Sequence, residues 1–293
     1  MMSAAALLIT PTQSEPPTFT MLATLTLAGR FAPLAPMVDV TDLAYRVLCR
    51  RYGASLAYTP MSVVNSIIHG NNSIKKIIMT NDQDRPACVQ IAGSDPLMFK
   101  KVLSYLKDFD LIDVNFGCPV HKAENTGIGA VLLKDLDRIT EILKVLKKNT
   151  DQVVTAKVRL GFDKVDIFKI LEAVESGGAD AITVHARTAV VGRRDQAQWS
   201  YIQQIKERSN IPVIGNGDVF TPSDVKEMLK IADFAMIARA GIGDPSIFYR
   251  VNRYLNDDVT EKKSEFEDKV RMFKEYYDLA VEYKLNDFVY MKT

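Results

Sequence analysis

The chain has little of what marks the special classes of protein. Its 293 residues hold 3 cysteines, Cys49, Cys88 and Cys118, an odd number at scattered positions. That excludes a disulfide framework and supplies no paired metal-ligand spacing, so no metal is expected. Such cysteine usage suits a reducing compartment, and the expected location is the cytoplasm. No run of about 18 uninterrupted apolar residues occurs, and a membrane span is not expected. The first 20 residues contain no Lys or Arg, which speaks against a signal peptide and a transit peptide alike. Rich in Ser, Thr, Pro and Ala, residues 1–26 are expected to form a loose tail. Neither sign of charge dominates: 37 Lys and Arg meet 36 Asp and Glu. Composition therefore announces no nucleic-acid partner, and any such contact has to rest on local patches.

What is present is a repeating unit. From Phe31 onward short apolar runs alternate with amphipathic stretches, the signature of consecutive βα units. The spacing predicts strands at 31–37, 56–59, 86–91, 111–115, 153–158, 181–184, 211–214 and 234–237. Helical segments are expected at 42–51, 96–106, 135–148, 166–176, 222–229 and 245–254. Eight units in about 220 residues fit an α/β fold of the (β/α)8 TIM-barrel type, with a doubly wound sheet as the competitor. The barrel is assigned to residues 27–250, and 251–293 to a short helical segment. There Ser264 and Glu267 frame a capping box, with Phe266, Val270, Phe273 and Tyr277 along one face of the following helix. A second helix is expected to begin near Asp287.

A barrel makes an internal check available, because functional side chains gather where its strands end. Just past the fourth strand stand Asn115, Phe116, Gly117, Cys118, Pro119, Val120, His121 and Lys122. Glycine and proline fix a turn that presents the thiol of Cys118, and a thiol mostly protonated near neutrality is a proton donor. The plainer reading is a small buried hydrophobe. Lys157 interrupts an apolar strand, which calls for a negative ligand or a structural ion pair. His185 ends the sixth strand, where it serves either a site or the core. Asn216, Gly217 and Asp218 follow the seventh strand, and Ala238 and Arg239 the eighth. Barrels hold phosphate groups at those two places with backbone N–H groups. His69, Cys49 and Cys88 are most simply structural.

Taken in order, these motifs resemble those of the dihydrouridine synthases. The resemblance rests on the Asn115 to Lys122 segment followed by Gly127, Ile128 and Gly129, and on Ala35-Pro36-Met37, Val89-Gln90-Ile91, Ala156 to Arg159, Val184 to Thr188 and Gly215 to Asp218. It implies reduction of uridine bases in tRNA by an FMN enzyme refilled by NADPH or NADH. Pro36, Met37, Gln90, Asn115, Lys157 and His185 would then lie about the flavin ring. Asn216, Gly217, Asp218, Ala238 and Arg239 would lie at its phosphate. Cys118 would be the proton donor, and Lys122, Arg159, Arg187 and Arg193 the contacts to RNA. A monomer is expected.

Two departures from the family pattern are visible. Ala238 stands where many relatives have glycine, and residues 251–293, a partial RNA-binding helical domain on this reading, carry 8 Lys and Arg against 10 Asp and Glu. Two other readings stay open: a flavin barrel acting on a free dihydropyrimidine, as dihydroorotate dehydrogenases do, and a catalytically weak RNA-binding relative.

Overall fold

A computed structural model describes residues 31–70, 72–119, 127–192 and 194–285. The tail, His121, Lys122, Arg193 and the helix expected near Asp287 lie outside the described residues. The strands β1 (Ala57–Tyr58), β3 (Ala87–Ala92), β4 (Leu111–Asn115), β5 (Val153–Arg159), β6 (Ala181–His185), β7 (Val213–Asn216) and β8 (Phe234–Met236) pair in that order. Each pairing is parallel, and the short β2 (Ser62–Val63) adds to the far end of β3. The ring closes through Leu34, which bridges Ala57 on one side and Ile237 on the other. Leu34 donates its N–H to Leu56 at 2.8 Å, and Ala35 donates to Ile237 at 2.8 Å. The fold is thus an α/β barrel, with the segment around Leu34 as its first stave.

The period of two along each strand builds two separate cores. In β5, Val154, Ala156 and Val158 face outward into a mantle shared with the helices, while Val153 joins an inner cluster with Leu56, Tyr58, Cys88, Leu111, Ala181, Ile214, Phe234 and Met236. The inner set is apolar where the strands begin. It becomes polar toward their ends, through Asp113, Thr155 and Thr183 to Asn115, Lys157, His185 and Asn216. That gradient makes one end of the barrel core and the other end site.

Ten helices lie among the described residues: α1 (Leu43–Arg51), α2 (Val64–His69), α3 (Asn72–Ile77), α4 (Pro96–Val102), α5 (Leu136–Asn149), α6 (Ile167–Ser176), α7 (Trp199–Arg208), α8 (Pro222–Met228), α9 (Ile247–Asp257) and α10 (Phe266–Glu282). Local chemistry fixes several starts. Asp42 caps α1 by accepting the Tyr45 N–H at 2.8 Å, Asp95 caps α4 beside Pro96, and Thr221 and Asp224 form a capping box at α8.

Helix α10 corrects the reading of its own start. The capping box is formed by Glu265 and Asp268, not Ser264 and Glu267. The Ser264 hydroxyl is engaged instead by Asp244 at 2.8 Å and by Ser246 at 2.6 Å, in a cluster completed by the Arg250–Asp244 ion pair. Phe266, Val270, Phe273 and Tyr277 do share a face, and it points outward, with Phe266 80% exposed. The packed face is Met272, Tyr276, Leu279 and Ala280. Tyr276 decides the choice: its hydroxyl donates to the cap residue Asp42 at 2.7 Å and its ring meets Tyr45 edge-on at 5.9 Å. Each stripe carries a tyrosine, but it is the Tyr276 hydroxyl that meets the cap residue of α1.

Candidate active site

The loop after β4 is clamped from three directions. Asn115 Oδ1 accepts the N–H groups of Gly117 at 3.0 Å and of Cys118 at 2.8 Å. Arg159 Nε donates to the Gly117 carbonyl at 2.7 Å, and Ala130 N–H donates to the Cys118 carbonyl at 3.0 Å. Gly129, at φ +66°, lets the chain return so closely that a Cβ there would lie 2.8 Å from the Cys118 oxygen. Among the three free thiols, Cys49 and Cys88 are buried and Cys118 is partly open.

Charge converges beside this loop. Register places Lys157 next to Asn115, and Arg159 next to His185, which pairs in turn with Asn216. Lys157 donates to Asn216 Oδ1 at 3.3 Å. Burial, and after it the neighbouring Arg159, lowers the Lys157 ammonium to about 8, while Asp113 and Cys118 pull it the other way. Burial also pushes His185 far below its usual value, and Lys157, Arg159, Arg187 and Arg239 add to the effect, so the imidazole is neutral. Among the described residues His185 Nδ1 and Arg187 Nη1 are buried without a hydrogen-bond partner. Buried orphan nitrogens in an electropositive mouth fit an anionic ligand with acceptor atoms.

The loops after β7 and β8 form the facing lip. Asp218, at φ 52°, accepts from Arg187 at 2.5 Å and from Arg239 at 3.1 Å. Against burial, the hydrogen bonds from Arg187 and the Ala197 N–H and the charges of Arg187 and Arg239 hold its carboxyl below the usual range. Gly217 has φ +114°, and its carbonyl accepts from Trp199 Nε1 at 2.7 Å. Asn216 Nδ2 donates to the Met236 carbonyl at 2.9 Å, and Ala238 precedes a 3-10 turn, Arg239–Gly241. Beside them, past the stave that closes onto β8, Met37 is held by mutual bonds with Thr41 at 3.1 Å.

The structure therefore gathers Pro36, Met37, Asn115, Cys118, Lys157, His185, Asn216, Gly217, Asp218, Ala238 and Arg239 at the strand ends. Three other expected residues sit differently. Gln90 is buried, its amide bonded to Asp113 and Asn115 at 2.7 and 2.9 Å. Arg159 is buried and braces the carbonyls of Gly117, Thr188 and Gly192. Arg187 is buried between Asp218 and the Asp195 carbonyl. Among the described residues no group of three or more His, Cys, Asp or Glu is placed to hold a metal ion, and no helix is long and apolar enough to cross a membrane.

Sequence reasoning missed Asp113, and it quoted Gly129 only as part of a motif, without its close approach to Cys118. The first carried a usable signal: a carboxylate within the apolar run Leu111-Ile112-Asp113-Val114 is as conspicuous as Lys157 in β5.

Comparison with known proteins gives one answer. The family model described as "Dihydrouridine synthase (Dus)" matches residues 33–292. A probable tRNA-dihydrouridine synthase of Rickettsia bellii is 32% identical over 257 residues, 85% of this chain and 79% of that protein. tRNA-dihydrouridine synthase B of Vibrio vulnificus is 34% identical over 233 residues, 78% of this chain and 72% of its own length. The corresponding protein of Xanthomonas campestris is 36% identical over 229 residues, covering 76% and 69%. Among solved structures, a FabK mutant from Thermotoga maritima superposes with a TM-score of 0.48 at 15% identity, covering 73% of this chain and 62% of that one. With a family match that spans the whole barrel and relatives covered over most of their length, the chain belongs to the dihydrouridine synthase family.

Proposed function

We propose that this protein reduces the C5=C6 bond of uridines in tRNA, with FMN in the barrel mouth, NADPH or NADH as reductant and Cys118 as proton donor. The observation that carries the reading is the meeting of a partly open thiol, a half-buried ammonium and two orphan nitrogens at the strand ends. FMN, when bound, supplies the hydride chemistry. Pro36, Met37, Gln90, Asn115, Lys157 and His185 would surround its ring, and Asn216, Gly217, Asp218, Ala238 and Arg239 its phosphate.

Each side chain then has a stated task. Lys157 places a cation where negative charge gathers, and neutral His185 offers a ring nitrogen without bringing a further charge. Cys118 holds a proton on Sγ and gives it to C5 of the uracil as charge develops there. A base stacked in a duplex does not reach this mouth, so the target uridine turns outward, at a cost of a few kcal/mol unless it already lies in a loop. Lys122 and Arg193 are the proposed RNA contacts, while the buried Arg159 and Arg187 brace the loops of the mouth from behind; the barrel at 27–250 is the proposed catalytic domain, with 251–293 contributing to RNA contact. We further propose a cytoplasmic monomer.

The test is a nucleoside mass analysis of unmodified tRNA incubated with the protein, FMN and NADPH. Uridine heavier by two hydrogens is the expected product. Cys118→Ala should keep its flavin and lose activity by about 10²- to 10⁴-fold. Flavin bound and NADPH consumed without that product would sink the tRNA reading, and a fully active Cys118→Ala would remove the proton donor.

A further inference from the structure

We propose that Asp113 is the positioning residue of the thiol loop, setting the direction of a hydrogen-bonded chain through Gln90 and Asn115 that ends on the backbone of Gly117 and Cys118. The inference rests on the reading of Cys118 as proton donor and concerns how that thiol is held.

Asp113 is fully buried inside the barrel, on β4, two residues before Asn115. Residues two apart on a strand project to the same side, and Gln90 is the register partner of Asp113 on β3. Gln90 therefore spans the step from one to the other. Its Nε2 donates to Asp113 Oδ2 at 2.7 Å, and its Oε1 accepts from Asn115 Nδ2 at 2.9 Å. Asn115 Oδ1 is left to accept from Gly117 and Cys118 at 3.0 and 2.8 Å. The other carboxylate oxygen accepts from Thr155 Oγ1 at 2.6 Å.

The chain has a forced polarity. An ionised carboxylate only accepts and a backbone N–H only donates. Between those fixed ends each amide has a single orientation in which no donor faces a donor and no acceptor an acceptor. Amide orientation is ordinarily an assignment, and here both ends require the same one. Turning Asn115 over would set its Nδ2 against the N–H groups of Gly117 and Cys118 and release the loop, and turning Gln90 over would set its Oε1 against the Asp113 carboxylate and its Nε2 against Asn115 Nδ2.

Charge around Asp113 is consistent with that role. Lys157 of β5 is the cation that faces it, with Tyr58 of β1 and Cys88 of β3 as uncharged titratable neighbours. Burial raises the carboxyl to about 6, against the hydrogen bonds of Gln90 and Thr155 and the charge of Lys157, so it is mostly ionised at neutral pH. An apolar residue would fill the barrel as well, as Leu111 does one step below. What the apolar residue lacks is an acceptor for Gln90.

The experiment is alkylation of the purified chain by iodoacetamide, as isolated and without RNA, with the label located by peptide mass. Cys49 and Cys88 are buried, so the folded protein reports Cys118. Asp113→Leu and Gln90→Met should each speed Cys118 alkylation by about threefold or more, because the loop loses its anchor. Asp113→Asn, whose amide oxygen still accepts from Gln90, should stay within about twofold of the parent. Turnover should fall about tenfold or more in the first two, and Asp113→Leu combined with Asn115→Ala should be no slower than Asn115→Ala alone.

A folded Asp113→Leu protein with parental alkylation would overturn the proposal, as would effects that multiply in the double variant. Should Asp113→Leu fail to fold, Gln90→Met decides by the same threshold. A parent protein that makes no dihydrouridine would sink the functional reading, and the alkylation comparison would still decide the positional one.

Discussion

Gly129 and Cys118 stand so close that a methyl group on Gly129 would lie 2.8 Å from the Cys118 carbonyl oxygen and 3.3 Å from its Cβ. Both of those atoms belong to a loop already clamped at its N–H groups, so the loop has to move. Gly127 offers a matched control: its φ is +67° against +66° at Gly129, yet among the described residues a Cβ there would meet nothing within 4 Å. Both alanine variants bear left-handed strain of about 1–2 kcal/mol. Only Gly129→Ala should in addition lower turnover, by about tenfold or more, with flavin content retained. Equal turnover in the two variants would count against the close approach as a constraint on the thiol.

Lys157 supplies a pH dependence with a definite sign. A lysine lowered to about 8 loses its charge as pH rises through that value. Any step that relies on the ammonium, flavin reduction first among them, should therefore fall above about pH 8, while an unperturbed lysine would hold its charge to about 10.4. In Lys157→Arg, a guanidinium that does not titrate in this range should abolish the alkaline limb. Lys157→Ala should weaken flavin retention or its reduction. Stopped-flow reduction of the flavin across pH 6–10 checks all three, and an alkaline limb kept unchanged in Lys157→Arg would assign it to another group.

The Arg46–Asp84 pair should matter to stability and not to chemistry. Both side chains are fully buried, with a 2.8 Å ion pair, and Arg46 also reaches the Thr41 and Met79 carbonyls at 2.8 and 2.7 Å. Removing one partner leaves a buried charge uncompensated, at about 3–5 kcal/mol. Asp84→Ala should thus melt on the order of 10 °C lower. Its turnover at low temperature should stay close to that of the parent. An unchanged melting temperature would contradict the pairing.

Much of the barrel was legible in the residues because strands buried on both faces leave short apolar runs that flanking turns delimit. Residues 111–115 were placed without error, and the helices expected from 42 and 96 begin at Leu43 and Pro96. The closure at Leu34 was not legible, since the flanking run predicts a full strand where a single residue bridges both neighbours. Nor was the outward turn of Phe266 and Phe273, because two apolar stripes on α10 compete and a distant acceptor, Asp42, selects between them. In the site, the residue types at the strand ends were legible. Their commitments were not: Arg159 and Arg187 look like free cations in sequence, and their partners are loop carbonyls and Asp218 from elsewhere in the chain.

The narrow closure at Leu34 is also the seam of the barrel. β4 and β5 share five register pairs, whereas the first and last staves are joined through one bridged residue and its neighbours. Breathing of the ring should begin there, and the amides of Leu34, Ala35 and Ile237 should exchange with solvent sooner than those of β4. One side of that seam leads to Pro36 and Met37, the other to Ala238 and Arg239. A ligand gripping both lips would act as a staple across that narrow joint, so its binding would tighten the whole ring as well as equip the mouth.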